Sequence, residues 1–96
     1  MFKPLDPLLH SPLRLAVVSL LVTVQEADFN YLKEKTNATS GNLSVQISKL
    51  EEAKYITVEK GYKGKRPLTT CFITKTGQAA FDEYVQVLNE YLNPDK

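Results

Sequence analysis

The 96 residues, 43% of them hydrophobic, are enough for one domain with a small core and exclude a disordered chain. A net charge of +1 excludes a uniformly basic surface, yet the charge is unevenly spread. Residues 54–66 set Lys54, Lys60, Lys63, Lys65 and Arg66 against Glu59 alone, whereas residues 77–96 set Asp82, Glu83, Glu90 and Asp95 against Lys96.

Asp6-Pro7 pairs a capping carboxylate with proline at the first helical position and predicts a short turn through His10. Ser11-Pro12 repeats the signal and opens a helix to about Thr23. Its run Leu15-Ala-Val-Val-Ser-Leu-Leu-Val-Thr-Val24 is too short to span a membrane. No small-residue cleavage site follows at Gln25-Glu26-Ala27-Asp28, so the run fits a buried helix better than a targeting segment. The helix is apolar on nearly all sides. In a chain this small, one face is expected to meet the core and the other a partner subunit.

Ala27 falls in a short strand-like segment. Asp28 then caps a second helix, Phe29 to Lys35, and Thr36-Asn37-Ala38 makes a turn. Thr39 caps a third helix in which Leu43, Ile47 and Leu50 fall at i, i+4 and i+7, ending at Ala53 or Lys54. Residues 56–60 alternate in the manner of a half-buried strand, with Ile56 and Val58 on one face. Gly61 and Gly64 permit a hairpin tip that Pro67 closes, and residues 68–73 form the return strand. Thr74 caps a last helix to about Leu92, with Phe81, Tyr84, Leu88 and Tyr91 on one stripe, and Asn93-Pro94 stops it.

The third helix keeps Thr39, Ser40, Gly41, Asn42, Ser44, Val45, Gln46, Ser48 and Lys49 away from its apolar stripe. Asn42 and Gln46 have the groups to bond adenine edges bidentately, Val45 suits a thymine methyl, and serine hydroxyls reach bases or phosphates. The free N–H groups of the helix start attract a phosphate. Lys63, Lys65 and Arg66 sit on a narrow glycine-containing loop, suited to a phosphate backbone or a minor groove. Any solvated helix has a polar outer face and a lysine hairpin is often merely soluble, so it is their adjacency that points to duplex DNA. No catalytic set can be assembled: His10 and Cys71 are single residues of their types, too few for a zinc site, and no phosphate-cradling glycine loop is present. No cofactor is expected. The lone cysteine also precludes an intrachain disulfide and suggests a reducing, cytoplasmic compartment.

Several stretches carry a resemblance: Asp6-Pro-Leu-Leu-His10-Ser-Pro-Leu-Arg14-Leu, Ala27-Asp-Phe, Leu32-Lys-Glu, Gly41-Asn-Leu-Ser44, Lys49-Leu-Glu-Glu-Ala53, Gly64-Lys-Arg-Pro-Leu-Thr69 and Thr74-Lys-Thr-Gly77-Gln-Ala-Ala-Phe81. Over about residues 5–92 the chain resembles small winged-helix regulators distantly related to the MarR family. The resemblance implies an α+β, mainly helical winged helix-turn-helix, with a three-helix core, a two-stranded β-wing and a C-terminal dimerisation helix. It also implies a homodimeric, DNA-binding transcriptional regulator. The dimer is expected to use Leu9, Val17, Leu20 and Leu21 together with Phe81, Tyr84, Leu88 and Tyr91. Two departures stand out. Members often carry basic or histidine residues where this chain has Val45-Gln46-Ile47, and many have glycine at Lys54, so Lys54 is expected to be strained or to end the helix differently. The near-neutral charge supports an alternative, a winged-helix protein-interaction module without DNA binding.

Overall fold

The structure, a computed structural model, describes residues 2–95. Lys96, the last residue of the acidic tail, lies outside it. The elements run α1 (Pro12–Val24), β1 (Glu26–Asp28), α2 (Phe29–Thr36), α3 (Ser40–Glu52), β2 (Ile56–Lys63), β3 (Arg66–Ile73) and α4 (Lys75–Leu92). Three helix starts have the expected side-chain caps: Asp28, Thr39 and Thr74 accept from the backbone N–H of Tyr31, Asn42 and Gly77. At α1, Ser11 makes no such bond and Pro12 alone pre-sets the backbone.

The sheet is antiparallel with strand order β1-β3-β2, so the wing hairpin gains a third strand from the Ala27 segment. The wing strands are longer than the alternation of 56–60 predicts. Gly61 is not at the tip; it pairs with Leu68 inside the ladder. The turn is only Gly64-Lys65, between the paired Lys63 and Arg66, and Gly64 takes a φ of 65° there. A two-residue hairpin turn requires a positive φ of this kind, which glycine adopts without steric cost.

The core is built around α1, which touches α2, α3, α4, β1 and β3. Val17, Val18 and Leu21 are fully buried with Leu9, Leu32, Leu43, Leu50, Ile56 and Cys71. Each such leucine contributes about 1.5–3 kcal/mol. This corrects the expected dimer surface. Leu9, Val17, Leu21 and Tyr84 are buried within the single chain, because its own elements surround α1 and its N-terminal segment crosses α4. Phe2 stacks on Tyr91 at 4.6 Å, the Tyr91 hydroxyl donates to the Lys3 carbonyl at 2.8 Å, and His10 Nδ1 lies 3.1 Å from the Tyr84 hydroxyl. Helix α4 therefore carries two stripes rather than one. Ala80, Tyr84 and Val87 turn inward, while Phe81, Val85, Leu88 and Leu92 follow a 4-3-4 spacing on a second side, where Val85 and Leu92 are exposed and Phe81 and Leu88 are half-buried against the core.

The start of the chain is fastened by Asp6. Its Oδ1 accepts from the Leu8 N–H at 2.8 Å, and its Oδ2 accepts from the Tyr55 hydroxyl at 2.5 Å. Burial, aided by that bond and the adjacent carboxylate charge, pushes the Tyr55 hydroxyl up to about 12. Cys71 is buried on β3; burial first, and the Glu51 charge second, push its thiol up to about 11, which leaves it protonated and unreactive.

Helix α3 ends in a Schellman arrangement: the Tyr55 N–H bonds the Leu50 carbonyl at 3.0 Å and the Lys54 N–H bonds the Glu51 carbonyl at 2.9 Å. Lys54 sits at φ 66°, in the left-handed region. The expectation of strain at this lysine is met, since a Cβ costs about 1 kcal/mol or more there. Lys54→Gly should raise stability by about 1 kcal/mol, seen as a rise of roughly 4–8 °C in Tm. A Tm equal to or below that of the parent would contradict this.

Candidate nucleic-acid interface

Helix α3 turns Leu43, Ile47 and Leu50 into the core, so the sequence stripe fixes which residues face out. Ser40, Gly41, Asn42, Ser44, Val45, Ser48 and Lys49 are exposed, as is the cap Thr39; Gln46 is half-buried. These residues divide between two faces. Ser40, Ser44 and Ser48, at i, i+4 and i+8, line a groove of about 440 Å³ whose other wall includes Val58, Lys60 and Thr69 from β2 and β3. Lys60 and Thr69 are cross-strand partners, so one cation and several hydroxyls share this groove with one carboxylate, Glu51. Such a wall suits a phosphate backbone more than a base edge.

Asn42, Val45, Gln46 and Lys49, at i, i+3, i+4 and i+7, make the second face. Val45 is 51% exposed and has no apolar role within the chain. Gln46 is not a free reader. Its Oε1 accepts from Arg14 Nη1 at 2.5 Å, and its Nε2 donates to Asn42 Oδ1 at 3.0 Å. Nothing lies within 4 Å of a Cβ built on Gly41, so the helix start is open to close approach.

The wing places Lys63, Lys65 and Arg66 at or beside its turn, all exposed, with Tyr62 76% exposed next to them. Among the described residues no carboxylate lies within 4.0 Å of these three cations; the ion pair present, Lys3 with Glu83, is elsewhere. Sequence reasoning missed Arg14, Lys60 and Thr69 as members of this surface. Lys60 was visible as part of the basic cluster. Arg14 gave no signal in spacing, because it lies 32 residues from the side chain it holds.

The surface can donate hydrogen bonds to acceptors and attract phosphates. Among the described residues no cluster of three or more His, Cys, Asp or Glu could hold a metal ion, and no helix is long and apolar enough to cross a membrane.

The family model described as "Winged helix DNA-binding domain" matches residues 13–92. The chain belongs to that winged-helix family. An uncharacterized protein of Methanocaldococcus jannaschii is 38% identical to the winged-helix chain over 76 residues, covering 79% of this chain and 83% of that protein. Among solved structures, a transcriptional regulator homologue from Pyrococcus horikoshii OT3 matches with a TM-score of 0.84 at 25% identity, over 91% of this chain and 86% of that one. NadR, solved in complex with 4-hydroxyphenylacetate, shares the fold with a TM-score of 0.67 at 19% identity, over 92% of this chain and 64% of that one. These neighbours are MarR-like transcriptional regulators. Family and fold are thus those of DNA-binding regulators rather than enzymes, with four helices and a three-stranded antiparallel sheet.

Proposed function

We propose that the chain is a sequence-specific, double-stranded DNA-binding transcriptional regulator that acts as a homodimer, with residues 1–96 forming one domain. The observation that carries this reading is the juxtaposition of an outward polar face on α3 with a wing whose cations have no acidic partner among the described residues. In this reading α3 enters the major groove. Thr39, Ser40, Ser44, Ser48 and Lys49 meet phosphates, and Asn42, Val45 and Gln46 meet or shape the base contacts. Gly41 allows close approach of the helix to the DNA backbone. Lys63, Lys65 and Arg66 follow the backbone or the minor groove.

Asn42→Ala tests the reading role. It should relax the preference at one position per half-site by about 1–3 kcal/mol and leave non-specific binding nearly unchanged. If both Asn42→Ala and Gln46→Ala keep the parent's base preferences, α3 does not read DNA. The protein-interaction module, which the near-neutral charge and the exposed Val45 favour, then becomes the better account.

The dimer surface is assigned to the second stripe of α4, namely Phe81, Val85, Leu88 and Leu92, together with Leu20 and Tyr91 from the original set. Spacing of this kind lets two helices pack along a seam, in which the exposed Val85 and Leu92 and the outer parts of the half-buried Phe81 and Leu88 would be covered. A two-fold pair would set its two α3 helices about 34–36 Å apart, one turn of duplex. Val85→Asp should give a folded monomer, since Val85 is 38% exposed within one chain and its loss leaves the core intact. Leu88→Asp should act the same way at some cost in stability, because Leu88 also packs on the core. Sedimentation showing a monomeric parent at micromolar concentration would rule the dimer out.

A further inference from the structure

Arg14 projects from α1 onto the outward face of α3. Its Nε donates to the Leu8 carbonyl at 2.6 Å and its Nη1 to Gln46 Oε1 at 2.5 Å. A guanidinium has donors only, so Gln46 must turn its oxygen toward Arg14 and its NH₂ group the other way, along the helix. That NH₂ also only donates. Asn42, which receives it at 3.0 Å, must therefore turn its own oxygen inward along the helix and its NH₂ group out. The donor-only character of Arg14 is thus passed through two amides and fixes which end of Asn42 faces solvent. Both ends of the relay are held: Arg14 is anchored by the Leu8 carbonyl, and Asn42 sits in the capped first turn of α3.

We infer that Arg14 is a specificity-determining positioning residue: acting through Gln46, it makes Asn42 present donors, so that the site selects guanine over adenine at the position Asn42 meets. This rests on the proposed reading of DNA by α3. Bidentate recognition of adenine needs an oxygen for N6–H and a donor for N7. Guanine offers two acceptors, N7 and O6, which match an outward NH₂ group. The usual pairing of asparagine with adenine is therefore reversed by a residue that belongs to another helix.

The experiment is selection from a random duplex pool by the parent chain, Arg14→Met and Gln46→Glu, each first checked for folding by circular dichroism. Arg14→Met keeps a long apolar stem but no donor. Gln46→Glu keeps an acceptor for Arg14, and hence the tie between α1 and α3, but has no donor for Asn42. Asn42 must then turn its NH₂ inward and its oxygen out. The parent should favour guanine over adenine by roughly fivefold or more at one position per half-site. Arg14→Met should reduce that ratio to below about twofold, and Gln46→Glu should replace guanine by adenine or cytosine. A merely structural tie predicts that Gln46→Glu keeps the guanine, and that result overturns the inference, as does a parent motif without guanine or an unchanged motif in Arg14→Met. If Arg14→Met does not fold, Gln46→Glu decides by the same criterion. A parent that enriches no motif at all fails earlier, at the proposed DNA reading itself.

Discussion

Replacing Lys63, Lys65 and Arg66 together by alanine should weaken binding to every duplex and flatten its salt dependence, without changing the preferred sequence. The three cations are exposed around a two-residue turn and have no carboxylate within 4.0 Å among the described residues, so their charge is available to phosphates. Each phosphate contact releases counterions and contributes about 0.9 to the slope of log K against log salt. At 0.1 M salt, relative to 1 M, that is about 0.9 log units per contact, so losing all three costs up to roughly 500-fold. Fluorescence anisotropy across a salt series, on specific and random duplexes, reads both quantities. A triple variant with the parent's affinity and slope would mean that the wing does not touch DNA.

Gly77→Ala should cause the largest loss of stability of the four glycine-to-alanine changes, because a Cβ meets neighbouring atoms within 4 Å only there. A Cβ at Gly77 would stand 2.1 Å from the Tyr55 carbonyl oxygen and 3.0 Å from Ile73 Cδ1. That carbonyl also accepts from the Thr74 N–H at 3.1 Å and from the Thr74 hydroxyl at 2.9 Å, so it anchors the start of α4. Backbone cannot rotate away as a side chain would. The helix must move, and the Thr74 bonds go with it. Overpacking of about 1–3 kcal/mol, plus about 1 kcal/mol for each hydrogen bond lost, gives roughly 3–5 kcal/mol. This is a large part of the 5–15 kcal/mol typical of a small domain, and Tm should fall by roughly 15 °C or more. Gly41→Ala is the control. It also lies in a helix but in open space, and should stabilise by up to about 1 kcal/mol. Equal Tm values for Gly77→Ala and the parent would show that α4 does not approach β2 this closely.

The elements of the fold were legible wherever a local rule sufficed. Leu43, Ile47 and Leu50 gave the buried face of α3 by periodicity, and Asp28, Thr39 and Thr74 gave three helix starts through capping chemistry. Gly64 gave the wing turn, although Gly61 drew the tip too wide because a glycine inside a paired strand looks the same in sequence as one in a turn. Failures came where the deciding contact joins distant residues. The apolar surplus of α1 suggested a partner subunit, but α2, α3, α4, β1 and β3 of the same chain surround it and the N-terminal segment lies against α4, which is why Leu9, Val17, Leu21 and Tyr84 belong to the core. Gly77 was visible only as part of a family-like stretch; that it meets the Tyr55 carbonyl depends on the packing of α4 against the start of β2. The outward residues of α3 were named correctly as accessible apart from the half-buried Gln46, yet their hydrogen-bond polarity was hidden, because Arg14 reaches them from another helix.

The most direct test of the central claim is selection by the unmodified chain from a pool of random duplexes, with the enriched sites then titrated against salt. Two α3 helices in a two-fold pair predict a palindrome with half-sites about one helical turn apart, bound more tightly than random duplex at every salt concentration. A pool that remains random after selection, or an enriched site bound no better than random DNA, would contradict sequence-specific recognition by this protein.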